Sequence, residues 1–275
     1  MSEVMLTIFQ GRCGDHNELA MAGAPAVGAL LAARTGLPPT VIGTPAPALN
    51  SGWQRELDAA YPALRAMAEH CHAMLASGAR PLTALTRCAV SLSTLPALAR
   101  HRPDACVVWF DAHADLNTPA TTTSGYLGGL ALSGPAGMWD TGLGAGLSLS
   151  NIILVGQRDL DPAEQALIDS GRVTMIPPGP ALAADLRTAL AGRPAYVHLD
   201  CDVLEPGIVP TDYRCDHGLS LDDLRQACAV LAEHELVGME IAEFQNAWTA
   251  GGPPVSPAPL LDAIQPALDR LLARY

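Results

Sequence analysis

Short apolar runs alternate along the chain with longer stretches in which apolar residues recur at helical spacing. The runs predict strands over residues 5–10, 40–43, 81–85, 151–156, 173–176 and 238–244, and in two segments that end at Asp111 and Asp200. Helices are predicted over residues 24–34, 54–75, 91–100, 162–170 and 258–275, with a further helix starting at Ser220. The alternation predicts an α/β fold: a three-layer α/β/α structure with a mainly parallel sheet of about eight strands, in a single domain spanning residues 1–275.

Metal-binding side chains follow the first of these two segments. The apolar residues 107–110 end in Asp111, His113 and Asp115, which point to one side if the strand stays extended. Two carboxylates with an imidazole suit a hard or borderline divalent cation such as Mn(II). The alternative at this point is an ordinary strand-end turn with solvated aspartates.

The second segment repeats the pattern, since residues 195–199 are largely apolar and are followed by Asp200 and Asp202. Four carboxylates brought together are costly unless a cation neutralises them. Four Asp and one His can hold two ions if some carboxylates bridge, and a close metal pair is typical of hydrolases. The sequence therefore predicts a two-metal hydrolase.

Composition narrows the classes of partner and compartment. The 16 basic residues are all Arg and stand against 28 acidic residues, for a net charge of -12, which argues against nucleic acid and anionic membranes as partners. No apolar run reaches transmembrane length, and residues 1–3 lack the basic segment of a signal peptide. Seven cysteines without paired spacing indicate reduced thiols. We therefore expect a cytoplasmic enzyme with a small-molecule substrate.

Several segments resemble the arginase, or ureohydrolase, family. They are DAHADLNTPATTTSG from Asp111, RDLDPAE from Arg158, HLDCDVLEPG from His198 and MEIAEFQN from Met239. The TTTSG part is more similar to arginases than to agmatinases or formiminoglutamases. The resemblance implies the arginase-like fold and a pair of Mn(II) ions.

The family's remaining metal ligand, a His in a Gly-Gly-Asp-His-Ser segment, aligns with Cys88. The resemblance implies one ion held by Cys88, Asp111, Asp115 and Asp200 and another held by Asp111, His113, Asp200 and Asp202. A thiolate ligand at Cys88 would shift the preference from Mn(II) toward Zn(II), Fe(II) or Co(II). The alternative is that Cys88 is only a small buried residue and the site is damaged.

The resemblance also implies roles for the residues around the ions. Asp115 would hydrogen-bond the attacking hydroxide and pass its proton on. Glu243 would orient the guanidine carbon. The alternative for Glu243 is a surface acid at the end of a strand. The positions that match the family's contacts to an amino-acid substrate are Asn117 and Ser124 for the α-carboxylate, Asp161 with Glu164 for the α-amino group, and Tyr126 in place of an Asn.

Two departures lie where the family binds the terminal nitrogens: Gly128 replaces a proton-shuttle His, and residues 212–214 (Asp-Tyr-Arg) replace a Gly-Thr turn. Gly128 is expected to leave room for a hydroxyl group and a different proton path. The pattern resembles family members that hydrolyse Nω-hydroxy-L-arginine to hydroxyurea and L-ornithine in D-cycloserine biosynthesis. An ordinary arginase and a non-catalytic pseudoenzyme are the alternatives.

Because the chain ends at Tyr275, directly after the last predicted helix, a monomer is expected rather than a homotrimer.

Overall fold

Eight parallel strands form the central sheet in the computed structural model, which describes residues 3–273. In chain order they are β1 (Val4–Phe9), β2 (Pro39–Ile42), β3 (Arg80–Ala84), β4 (Cys106–Phe110), β5 (Ile152–Val155), β6 (Thr174–Ile176), β7 (Ala195–Asp200) and β8 (Leu236–Ala242). The order across the sheet is β2-β1-β3-β8-β7-β4-β5-β6, and these pairings are all parallel. The predicted mainly parallel sheet of about eight strands is confirmed.

Helices cover both faces of this sheet. The α-helices of the described residues are α1 (Leu19–Thr35), α2 (Trp53–Ala76), α3 (Ser91–His101), α4 (Pro162–Asp169), α5 (Leu182–Leu190), α6 (Leu221–Leu231), α7 (Ala258–Ala263) and α8 (Gln265–Leu272). Successive side chains of β4 enter two different apolar clusters: Val108 and Phe110 belong to one, and Val107 and Trp109 to the other. This alternation is the pattern of a strand buried on both faces, and it gives the predicted three layers.

The end of the chain differs from the prediction. Residues 258–275 were expected to form one helix, but α7 stops at Ala263 and α8 starts at Gln265. Pro266 lies in the first turn of α8, where the missing proline N–H costs nothing, whereas inside a continuous helix it would remove a hydrogen bond. Residues 274 and 275, which the prediction also included, lie outside the described part of the chain.

Two other helices differ from their predictions. The helix α1 begins at Leu19 rather than near residue 24 and includes Pro25. The helix α5 was not predicted at all, although its buried residues Leu182, Leu186 and Leu190 recur at a spacing of four, which is a helical signal. Its short length and the Pro- and Gly-containing segments on either side hide that signal in the sequence.

The order of the strands decides where chemistry can occur. The strands β3, β8, β7 and β4 lie side by side in the middle of the sheet, and because all are parallel, their carboxyl ends meet at one edge. Open α/β sheets bind ligands at such an edge. No helix of the described residues is both long and apolar enough to cross a membrane.

Candidate active site

The residues that follow the four central strands form one cluster. The segment after β4 supplies Asp111, His113 and Asp115. The strand β7 ends at Asp200 and is followed by Asp202. Cys88 follows β3, and Glu243 follows β8. Asp115 and Glu243 adopt left-handed backbone conformations, with φ of 53° and 66°. Non-glycine residues rarely do so, and such strain concentrates at functional sites, which singles out these two acids.

His113 joins the two strand ends. Its Nδ1 lies 3.2 Å from Asp111 Oδ1 and 3.2 Å from Asp202 Oδ2. Burial opposes protonation of the imidazole, but hydrogen bonds to these two carboxylates outweigh it and raise the pKa of His113. The Nε1 of Trp109 donates to Asp111 Oδ2 at 2.9 Å, which fixes the carboxylate that connects both halves of the cluster.

The raised pKa values of the other acids show how unfavourable their combined negative charge is. Burial, followed by the charge of Asp202, raises the pKa of Asp111 to about 7. The pKa values of Asp115 and Asp200 are also raised, first by burial and then by neighbouring carboxylates. A buried set of acids that repel one another is stabilised by a cation, which takes the place of the protons.

Three overlapping groups of side chains in the described residues could each hold a metal ion. Within each group the ligand atoms lie no more than 4.8 Å from one another. The groups are Cys88, Asp111 and Asp115; Cys88, Asp200 and Glu243; and Asp111, His113 and Asp202. All six predicted ligands are represented, so the donor set fits a pair of divalent ions, although the structure groups Glu243 with Cys88 and Asp200 where the resemblance did not.

Cys88 is buried between the acids and a second polar network. Its Sγ lies 2.9 Å from Asp200 Oδ2 and 3.1 Å from His198 Nε2. The Nδ1 of His198 lies 2.8 Å from Glu240, and the His198 ring stacks on Trp109 with centroids 3.5 Å apart. Ser91, Thr94 and Tyr196 also donate to Glu240. Cys88 therefore contacts Asp200 of the acidic cluster and His198 of this second network.

Sequence reasoning missed His198 and Glu240. A signal was present for each: His198 stands two residues before Asp200, so both side chains lie on one face of β7. Glu240 is a lone charge inside the apolar run of β8, where it is completely buried. Burial raises the pKa of a carboxyl, but hydrogen bonds from His198, Ser91 and Tyr196 outweigh this and lower the pKa of Glu240.

A cavity of about 230 Å³ opens onto the cluster. It is lined by all the predicted site residues except Asp111, which lies fully buried behind them: Cys88, His113, Asp115, Asn117, Ser124, Tyr126, Asp161, Glu164, Asp200, Asp202 and Glu243. Residues predicted as metal ligands and residues predicted as substrate contacts therefore share one cavity.

We call the part of the cavity formed by Asn117, Ser124, Asp161 and Glu164 its amino-acid end. Asn117, Asp161 and Glu164 are linked by hydrogen bonds. Asn117 Nδ2 donates to Asp161 Oδ2 at 2.8 Å. Glu164 accepts from the backbone N–H of Leu116 and of Asp161, both at 2.9 Å, so its two oxygens are used to hold the loops. Ser124 is exposed at the cavity wall and accepts from the backbone N–H of Tyr126 at 3.2 Å.

Around Glu243, the structure shows a residue to which sequence reasoning gave no role. Arg87 is completely buried, with its Nη1 2.7 Å from Glu243 Oε2 and 3.0 Å from Asp212 Oδ2, and its Nε 2.8 Å from Asp15 Oδ1. Arg87 stands directly before Cys88, and a charged residue at the end of a buried strand was the available signal. Glu243 is 5% exposed and ion-paired, so it is not a surface acid.

Gly128 lines the cavity, but the room expected where a side chain would extend from it is taken by a neighbouring residue. A Cβ built at Gly128 would lie 2.3 Å from Cε1 of Tyr126, so the tyrosine ring already fills the position. Tyr126 in turn contacts Tyr213, with centroids 5.4 Å apart, and Tyr213 lies 5.5 Å from the ring of His113. We refer to Tyr126, Gly128 and Tyr213, which line the cavity, together with Arg87 and Asp212, which are linked to Glu243 by ion pairs, as the altered end of the cavity.

Comparison with known proteins places these features in context. The profile of the Arginase family matches residues 44–251. An N(omega)-hydroxy-L-arginine amidinohydrolase of Streptomyces lavendulae is 38% identical over 269 residues, which cover 98% of each chain. The crystal structure of Entamoeba histolytica arginase in complex with L-ornithine has a TM-score of 0.82 at 17% identity, covering 100% of this chain and 99% of that one. Proclavaminate amidino hydrolase from Streptomyces clavuligerus has a TM-score of 0.73 at 17% identity over 99% and 93%. Likeness at these low identities shows the fold.

Proposed function

The chain belongs to the arginase family, and from this we propose that it hydrolyses Nω-hydroxy-L-arginine to L-ornithine and hydroxyurea. The observation that carries the proposal is the layout of the cavity. The groups suited to an α-amino acid persist at one end, whereas the departures from the family pattern adjoin Glu243 at the other. The relative from Streptomyces lavendulae, whose name specifies this substrate, supports the choice.

The proposal assigns the acidic cluster to two divalent ions, with Mn(II) expected first and Zn(II), Fe(II) or Co(II) as alternatives because of the Cys88 sulfur. When bound, such an ion pair supplies a water acidic enough to attack near neutral pH. The residues that would hold the ions are Cys88, Asp111, His113, Asp115, Asp200 and Asp202.

The side chains of the cavity would do the rest of the chemistry. Asp115 would accept the proton of the attacking water and deliver it to the amine of L-ornithine, which leaves only when protonated. Glu243 would accept a hydrogen bond from the guanidine end and so orient its carbon toward the attack. Asn117 and Ser124 would bind the α-carboxylate, and Asp161 would bind the α-amino group, with Glu164 holding Asp161 in place.

We further propose a single-domain monomer that works in the cytoplasm as part of D-cycloserine biosynthesis. All seven cysteines are free, and six of them are buried, which supports a reducing compartment. A trimer mass in light scattering would contradict the monomer.

Steady-state kinetics on the two substrates test the proposed function. We expect kcat/KM for Nω-hydroxy-L-arginine to exceed that for L-arginine by at least about a hundredfold, roughly 3 kcal/mol in transition-state stabilisation. Comparable values would indicate an ordinary arginase. Failure to release urea or hydroxyurea from protein loaded with two ions per chain would indicate a pseudoenzyme.

A further inference from the structure

Arg87 places a permanent cation against the carboxylate that would receive the reacting end of the substrate. Its guanidinium is completely buried and donates to Glu243, Asp15 and Asp212 at 2.7–3.0 Å. An arginine side chain stays charged at any pH the protein experiences. Glu243 therefore already has a guanidinium partner before a substrate enters.

The other oxygen of Glu243 is also engaged. Its Oε1 accepts from the backbone N–H of Cys88 at 2.9 Å, whereas Oε2 accepts from Arg87. A carboxylate has enough lone pairs to accept one more N–H from a substrate, so hydrogen bonding to Glu243 remains available. Oε2 of Glu243, however, is already ion-paired with Arg87, and a second cation at the same carboxylate would meet Arg87 at short range.

We propose that Arg87 is a specificity-determining residue, which makes this site select a neutral, weakly basic hydroxyguanidine over the cationic guanidinium of L-arginine. The inference rests on the proposed function and deepens it. A hydroxyguanidine is less basic because its oxygen withdraws electron density, so it can enter without a charge. It can then use the hydrogen-bonding capacity of Glu243 without repulsion from Arg87.

An unpaired donor at the cavity supports the same choice. Tyr126 lines the cavity together with Glu243, and its hydroxyl is buried with no hydrogen-bond partner within the described residues. A donor left without an acceptor favours a ligand that brings one. The oxygen on the terminal nitrogen of a hydroxyguanidine is such an acceptor, and L-arginine lacks it.

The test compares Arg87→Gln, which removes the cation, with Arg87→Lys, which keeps it. In Arg87→Gln, the inhibition constant of L-arginine against Nω-hydroxy-L-arginine hydrolysis should fall by at least about tenfold. The preference in kcat/KM should shift toward L-arginine by a similar factor. Arg87→Lys should hold both quantities within about threefold of the wild type. Tighter binding of the wrong substrate is a gain that general damage to the fold does not produce.

A second variant covers poor folding of Arg87→Gln, which leaves buried carboxylates without a partner. Arg87→Gln combined with Asp15→Asn removes the cation together with one of its buried acids. Metal content is measured for every variant, so that loss of ions is recognised. The inference is overturned if metal-loaded Arg87→Gln, or the double variant, keeps the wild-type preference, or if Arg87→Lys loses it equally. The proposed function fails separately, if wild-type protein releases no hydroxyurea from Nω-hydroxy-L-arginine.

Discussion

The two ends of the cavity are built differently. At the amino-acid end, Asn117 lies in the loop after β4 and Asp161 and Glu164 lie at the start of α4, and these polar residues are linked by hydrogen bonds and line the cavity. At the altered end, Arg87 and Glu243 form a buried ion pair, and the rings of Tyr126 and Tyr213 contact each other and line the cavity. The first kind of end suits a zwitterionic amino acid, and the second suits a group whose charge has been reduced.

The difference shows how a family can change its substrate in one place. The amino-acid end is supplied by the segments after β4 and around the start of α4. The charged groups of the altered end, Arg87, Glu243 and Asp212, follow β3 and β8 or lie in the loop after β7, whereas Tyr126 and Gly128 share the segment after β4. Because different elements carry these charged groups, they can change while the amino-acid end is kept. The acidic cluster lies between them, and both ends depend on it.

The largest effect is expected from removing the acidic cluster on which both ends depend. Asp111→Ala deletes a carboxylate that contacts His113 and belongs to two of the three possible metal groups. With one ligand fewer, we expect loss of two-ion loading and no measurable turnover of either substrate. Metal analysis of the purified protein and a hydroxyurea assay measure this.

The matched control is Asp159→Ala. Asp159 lines the same cavity, but its side chain is 71% exposed and belongs to none of the three metal groups of the described residues. Its loss should leave two ions bound. Normal loading and turnover in Asp111→Ala would mean that the cluster is wrongly assigned.

A smaller effect is expected from crowding the altered end. Gly128→Ala places a methyl group 2.3 Å from the ring of Tyr126, so we expect a loss of about 1–3 kcal/mol in the free energy of unfolding. In a Tyr126→Leu background most of that penalty should vanish, because the ring atoms that cause it are absent. Denaturant unfolding of the four proteins of this cycle measures the coupling.

Gly129 provides the control, since a Cβ there meets no atom within 4 Å. Gly129→Ala should change the free energy of unfolding by no more than about 0.5 kcal/mol. Equal penalties for Gly128→Ala with and without the tyrosine would show that Tyr126 does not occupy the space.

The sequence was sufficient for much of this fold and for the acidic cluster. Apolar runs such as residues 107–110 reveal a buried strand, and parallel strands bring their carboxyl ends to one edge, so Asp111 and Asp200 could be placed together. The family resemblance then supplied the cavity residues, and the cavity contains all of these except Asp111.

The sequence did not reveal which partners fill the space behind those residues. The pairing of Arg87 with Asp15 and Asp212 joins segments far apart in the chain, and no local pattern encodes it. The same holds for the contact of Cys88 with His198, since Cys88 follows β3 whereas His198 lies in β7. We expected room at Gly128 because glycine has no side chain. The sequence does not show that the ring of Tyr126 fills that position.

At the amino-acid end we expect an effect on substrate binding that is similar in size to the penalty at Gly128. Asn117→Ala removes both a predicted α-carboxylate contact and the donor that holds Asp161 at 2.8 Å. Hydrogen bonds to charged groups are worth roughly 1.5–3 kcal/mol, so we expect KM to rise about tenfold or more. Since L-arginine and Nω-hydroxy-L-arginine share this end, the rise should be equal for both, and their ratio of kcat/KM should stay within about threefold of the wild type. Arg87→Gln should do the opposite and change the ratio. Steady-state kinetics with both substrates on both variants distinguishes the two ends, and a ratio that shifts in Asn117→Ala would show that they do not act independently.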